Sequence, residues 1–276
     1  MRLSFYTYSY TDRLQMPTVE CLERIARTGY GGIDVSGTHG NSEDPKSFDG
    51  ALRELTRKTA ARLGLTIEAV ITHAQLTDTL LADRKPMDLN GSIDLAADLG
   101  APVVTFHLGG YPEGVERSSF YRKTVEAIRK GAEYGAGKHV QLAVDGIWPT
   151  WVADSPATLA KMFDDVGHPN FGVNFDPSYL TLIGVDPPAF VKQFAKRIMH
   201  VHLKDHRGKL PMWTHLIPGR GEMNYARVFE ALKKYDFKGS AAVECFTDMK
   251  FEEACDDGFA KMTEAAKMGG VTFGTK

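Results

Sequence analysis

The chain has 276 residues, with 33 Lys+Arg against 35 Asp+Glu and a formal net charge of −2. That balance excludes a global basic field for nucleic acid or anionic lipid. No apolar run approaches the ~18 residues of a membrane span, and the opening MRLSFYTYSYTDR has no apolar signal-peptide core. The 3 cysteines, Cys21, Cys245 and Cys255, have no CxxC spacing, so a reducing cytoplasm is expected rather than a disulfide scaffold.

Taken in chain order, short β-type runs alternate with longer helix-patterned segments. Strands are expected at Leu3–Tyr8, Gly32–Ser36, Thr66–Thr72, Pro102–His107, Val140–Asp145, Phe171–Phe175, Ile198–Leu203 and Ser240–Cys245. Helices are expected at Val19–Thr28, Pro45–Leu63, Leu89–Leu99, Glu116–Tyr134, Pro156–Asp165, Pro188–Phe194, Tyr225–Lys234 and Glu252–Met268. Gly29, Gly64 and Gly100 fall just past three of these helices, where a left-handed residue suits glycine. Asp154-Ser155-Pro156 supplies caps and a helix-compatible proline before another. The continuously apolar PVVTF before His107 reads as a buried parallel strand.

Eight βα repeats point to an α/β fold, a single (β/α)8 TIM barrel forming one domain over residues 1–276. A doubly wound open sheet is the alternative. The turn after the first strand, SYTDRLQMP, lacks GxGxxG, and no GxxxxGK[ST] occurs.

A barrel presents its functional groups at strand C-termini. Here those ends carry Thr72-His73, His107, Asp145, Asp176, His202 and Glu244, in a chain with 9 histidines. Asp145, Asp176, His202 and Glu244 come from four successive strands and can converge above the barrel mouth. Three crowded carboxylates call for a cation. Carboxylate oxygens with one imidazole suit Mn²⁺ best, with Mg²⁺, Co²⁺ or Zn²⁺ also compatible. Taken singly, Asp145 and Asp176 also read as caps of the following helices. Residues i and i+2 face the same side of a strand, so His200 and His202 both point inward. His202 lies nearer the mouth and takes the metal role, leaving His200 deeper. Cys245 should face the core. Lys204 and Asp205 carry no signal individually.

The stretches GVNFDPSYL, HVHLKDHRG, PGRGEMNY and AAVECF resemble the xylose-isomerase-like sugar isomerase/epimerase family, which also includes the apurinic-site endonucleases. In that family a Glu, an Asp, a His and a final Glu bind a divalent metal, roles that the resemblance assigns to Asp145, Asp176, His202 and Glu244. The first position is usually Glu, so Asp145 is ~1.5 Å shorter in reach. Tyr179 stands where the family often has His, exchanging an imidazole for a hydroxyl. His73 and His107 match histidines that bind further zinc in the endonuclease branch. That branch also expects an Asp/His ligand pair after the seventh strand and a basic face. The loop HRGKLPMWTHLIPGRGEM offers His206 and His215 without a similar pair. His73 and His107 are therefore expected to bind substrate hydroxyls or water.

Arg207 and Arg220 flank the same loop, and an arginine fork at the mouth suits phosphate, carboxylate or hydroxyl. Trp148, Trp151 and Trp213 lie in loops on the expected active face, where indole offers a flat wall for a sugar ring or an attached aryl group. The expected activity is isomerisation or epimerisation of a keto-sugar or polyol derivative. Glu244 abstracts a proton next to a carbonyl, Asp145 returns it on the other face, and the metal stabilises the enediolate. A lyase that expels a neighbouring group, such as an aryl leaving group, shares that intermediate. An apurinic-site endonuclease and a non-catalytic sugar-binding subunit are the remaining readings. The expected partner is a small carbohydrate, with no nucleic acid and no membrane; assembly as a homo-oligomer or hetero-subunit stays open.

Overall fold

A computed structural model describes residues 1–38, 44–81, 84 and 87–274. In chain order the elements are β1 (Arg2–Tyr6), α1 (Thr18–Thr28), β2 (Gly32–Ser36), α2 (Gly50–Leu63), β3 (Thr66–Gln75), α3 (Leu89–Leu99), β4 (Val103–His107) and α4 (Arg117–Ala136). Next come β5 (Gln141–Asp145), α5 (Pro156–Val166), β6 (Phe171–Phe175), α6 (Pro177–Leu182), α7 (Pro187–Phe194) and β7 (Ile198–Leu203). The chain then runs through β8 (Asp205–Lys209), β9 (Met212–Leu216), α8 (Tyr225–Lys234), β10 (Ser240–Val243) and α9 (Phe251–Met268).

The strands close in the order β1-β10-β7-β6-β5-β4-β3-β2, every pair parallel. The apolar run of β4 is buried up to His107, which is half-buried at the mouth. Each helix packs an apolar stripe on the sheet: α1 buries Cys21, Leu22 and Ile25, spaced for one helical face. Gly29, Gly64 and Gly100 are left-handed C-caps, and Ser155 caps α5 in a reciprocal box with Thr158.

Several boundaries differ from the sequence expectation. The expected helix Pro45–Leu63 is a 3₁₀ turn, Pro45–Ser47, followed by α2, because Asp49 caps a new start by accepting from the Leu52 N–H. β3 runs on to Gln75, β1 ends at Tyr6 and β10 ends at Val243. A π-helical turn at Ser9–Arg13, the short α6 and the β8–β9 hairpin were not foreseen.

The hairpin leaves the mouth directly after β7 and is anchored by one side chain. The fully buried Asp205 carboxylate accepts from the backbone N–H groups of Gly219, Gly221 and Met223 at 2.9–3.1 Å. A Cβ at Gly221 would stand 2.3 Å from both Asp205 Oδ1 and the His206 carbonyl, so the PGRGEM segment needs glycine for this close approach. Among the described residues, no helix is long and apolar enough to cross a membrane.

Candidate active site

Strand ends deliver the expected residues to one place. Asp145 ends β5, Asp176 follows β6, His202 lies on β7 and Glu244 follows β10. Ligand atoms of Asp145, Asp176 and His202 all lie within 4.8 Å of one another, and all three residues are buried. His202 Nδ1 stands 2.9 Å from Glu244 Oε2 and 3.7 Å from Asp145 Oδ1.

A cation already lies in this cluster. Lys204, at 1% exposure, places Nζ 2.9 Å from Asp176 Oδ2 and 2.9 Å from Glu244 Oε2. It also sits 4.0 Å from the centre of the Tyr179 ring. The same i, i+2 alternation that turns His200 and His202 inward continues to Lys204, and that signal was available in the sequence.

Each charge is set by its neighbours. Burial pushes against ionisation of Glu244, but the Lys204 and His202 charges hold it well below the usual carboxylate range. Burial opposes the His202 cation too, yet Glu244 and Asp145 raise its pKa to about 9. Burial and the neighbouring carboxylates push Asp176 up against the pull of Lys204. Against burial, the His107 hydrogen bond and the charges of His202 and Lys204 bring Asp145 below its ordinary value.

The carboxylates differ in access. Asp145 is tied by His107 Nε2 at 3.0 Å and by the Asn174 amide, which donates to Oδ1 at 2.6 Å. Asp176 Oδ1 caps α6 by accepting from the Ser178 and Tyr179 N–H groups, while Oδ2 faces Lys204. The helix-cap reading of Asp176 therefore holds for one of its two oxygens. Glu244 is the most open of the three, with its side chain 14% exposed against 5% for Asp145.

Two arcs of rings flank the cluster. On one side Trp148 packs against Tyr179 and Trp213 at 5.2 and 5.8 Å, and His215 stacks on Phe246 at 4.4 Å. On the other, Tyr8 lies over His73 at 4.0 Å, and His107 meets Trp151 at 5.5 Å. Burial and the neighbouring His107 charge lower the His73 pKa to about 4, and its Nε2 lies 2.7 Å from the Tyr6 hydroxyl.

The arginines are not part of the buried cluster. Arg207 is exposed on β8, and strand alternation turns it away from the buried His206. Arg220 pairs with Glu253 at 3.0 Å and with Asp257 on α9, outside the cluster. Trp213 sits on β9 rather than in an irregular loop. Tyr6, Tyr8, Asn174, Lys204, His215 and Phe246 were not singled out from the sequence as site residues. Cys245 is buried, as expected.

The donor set fits a divalent ion. Asp176 Oδ2, both His202 nitrogens and Glu244 Oε2 are buried yet lack a well-directed hydrogen bond. Glu244 contacts His202 and Lys204, and Asp176 contacts Lys204, as ion pairs at 2.9 Å. Buried oxygens and nitrogens left this way are stabilised by a cation. Oxygen donors with one imidazole suit a hard or borderline metal.

Known proteins share this architecture. The family model described as "Xylose isomerase-like TIM barrel" matches residues 22–265. L-ribulose 3-epimerase of a Methylomonas species is 26% identical over 234 residues, covering 80% of this chain and 76% of the relative. Inosose dehydratase 1 of Bacillus cereus is 21% identical over 257 residues, covering 83% and 82%. The solved IOLI protein, described with a bound zinc atom, superposes with a TM-score of 0.79 at 17% identity, over 97% of this chain and 98% of that one. With the family model spanning most of the barrel, this chain belongs to the xylose isomerase-like TIM barrel family.

Proposed function

We propose that the chain is a metal-dependent isomerase or epimerase of a keto-sugar or polyol derivative, working by proton abstraction next to a carbonyl. The observation that carries this is Glu244: an ionised, partly accessible carboxylate at the rim of a buried Asp145–Asp176–His202 cluster. Relatives named as an epimerase and a dehydratase support chemistry of this class.

Asp145, Asp176, His202 and Glu244 are the residues that would hold the ion. A divalent ion there supplies Lewis-acid stabilisation of negative charge developing on substrate oxygens. Manganese is our first choice from the donor set; zinc is the ion named for the IOLI protein.

The protein's own groups do the rest. Glu244 takes the proton from carbon. Asp145 and His107, hydrogen-bonded to each other, hold the second proton-transfer position. Tyr179, Trp148 and Trp213 give the substrate an aromatic wall and limit water. His73 is neutral and serves as a hydrogen-bonding group rather than a charge. The reaction reads as isomerisation or epimerisation when the proton returns to carbon, and as elimination when a neighbouring group leaves instead. The Trp148–Trp213 contact favours keeping elimination as the second reading, because it offers an aryl-sized apolar face.

The test is elemental analysis of the purified protein followed by a screen of ketoses and keto-cyclitols in D₂O. One divalent ion per chain with deuterium entering next to a carbonyl supports the proposal. Absence of metal uptake and of any exchange contradicts it.

A further inference from the structure

Below the cluster, strands β2, β7 and β10 bring a second polar group into the barrel. Asp34, His200 and Ser240 are all buried. His200 Nε2 lies 2.6 Å from Asp34 Oδ2, and His200 Nδ1 lies 3.1 Å from Ser240 Oγ. The Ser4 hydroxyl donates to the other Asp34 oxygen at 3.2 Å. His200 Nε2 is engaged by the Asp34 carboxylate and Nδ1 by the Ser240 hydroxyl. Both His200 nitrogens are thereby used.

The same Asp34 oxygen faces the ring of His202, 3.9 Å from Nε2. The other nitrogen of that ring, Nδ1, faces Glu244 and Asp145. One side of the imidazole thus looks into the carboxylate cluster and the other at a single interior carboxylate. Nε2 is buried and has no hydrogen bond.

We propose that Asp34 is a positioning residue for His202: its carboxylate accepts a hydrogen bond from Nε2–H and so presents the Nδ1 lone pair to a divalent ion among Asp145, Asp176 and Glu244. A metal needs a neutral imidazole in one tautomer and one orientation, and an outer carboxylate on the second nitrogen supplies both. Moving the ring by roughly 1 Å brings Nε2 into hydrogen-bonding range of Asp34. His200, Ser240 and Ser4 hold Asp34 in place for this contact. The inference rests on the metal reading above. Asp34, His200 and His202 could themselves be taken as a ligand set, since their ligand atoms lie within 4.8 Å of one another. The engagement of both His200 nitrogens argues against that, because it leaves no lone pair for an ion.

The test needs no activity. In the Zn²⁺-loaded wild-type protein, long-range ¹⁵N–¹H spectra of the histidine rings should show His202 metallated at Nδ1 and protonated at Nε2. Asp34→Asn should lower Co²⁺ affinity by about 10–100-fold in calorimetric titration and speed exchange of the His202 Nε2 proton. Stoichiometry should stay at one ion. A His202 bound through Nε2, or a folded Asp34→Asn protein with unchanged affinity and unchanged proton exchange, overturns the inference. So does a second ion that disappears in Asp34→Asn. No ion bound by the wild type sinks the metal reading itself, whereas an ion indifferent to Asp34 sinks this inference alone.

Discussion

Lys204 Nζ stands 2.9 Å from Glu244 Oε2, so the proposed base is paired with an interior ammonium. Burial alone would disfavour that ammonium; Asp176 and Glu244 raise its pKa well above the ordinary lysine value. Lys204 is therefore a fixed positive charge shared between Asp176 and Glu244.

This leads to a first prediction. Lys204→Met keeps a long side chain but leaves carboxylates uncompensated. Removing one partner of a buried ion pair costs about 3–5 kcal/mol. The metal-free variant should melt well below wild type, and saturating Mn²⁺ should recover more of its Tm than it adds to wild type. Equal metal-induced shifts in thermal unfolding of both proteins would contradict this.

A second prediction follows from His202. Its pKa rises from an ordinary 6.5 to about 9 in the metal-free fold. A raised folded-state value contributes stability that is fully present below about 6.5 and lost as pH rises toward 9. Thermal unfolding of the metal-free protein should show this fall, and His202→Asn should flatten it. A metal on that ring displaces the proton, so binding at neutral pH should release about one proton. Calorimetry in buffers of different ionisation enthalpy counts it, and no release would show that His202 is not a ligand.

A third prediction separates the two arginines from the aromatic wall. Arg220 is exposed and holds Glu253 and Asp257, so Arg220→Ala should cost no more than about 1 kcal/mol and leave turnover intact. Trp148→Ala removes the ring packed on both Tyr179 and Trp213, and should raise KM about tenfold or more while changing kcat less. Steady-state kinetics on one accepted substrate decides both; a larger loss from Arg220→Ala would return that arginine to the substrate site.

The barrel was legible because its strands are continuous apolar runs ending in polar residues, as in VVTFH, and because glycines such as Gly64 and Gly100 mark helix ends. The hairpin was not. DHRGK and MWTHL are polar and short, and their anchor is a long-range one, from the Asp205 carboxylate to N–H groups at Gly219, Gly221 and Met223. Among site residues, Asp176, His202 and Glu244 stood out as polar ends of apolar strands. Lys204 did not: the strand alternation turns it inward with His200 and His202, but its carboxylate partners, Asp176 after β6 and Glu244 after β10, are distant in sequence. Arg220 misled for the converse reason: its acidic partners lie on α9.

The most direct measurement is carbon–hydrogen exchange in D₂O by Glu244→Gln under metal saturation. Gln keeps the shape and an oxygen donor but cannot accept the proton. We predict that wild type incorporates deuterium next to the carbonyl of an accepted ketose or keto-cyclitol, and that Glu244→Gln slows this by about 10²-fold or more with the ion still bound. Wild-type exchange in the metal-loaded variant would contradict Glu244 as the base. Turnover by wild type with no solvent deuterium in the product would contradict the proton-abstraction mechanism as a whole.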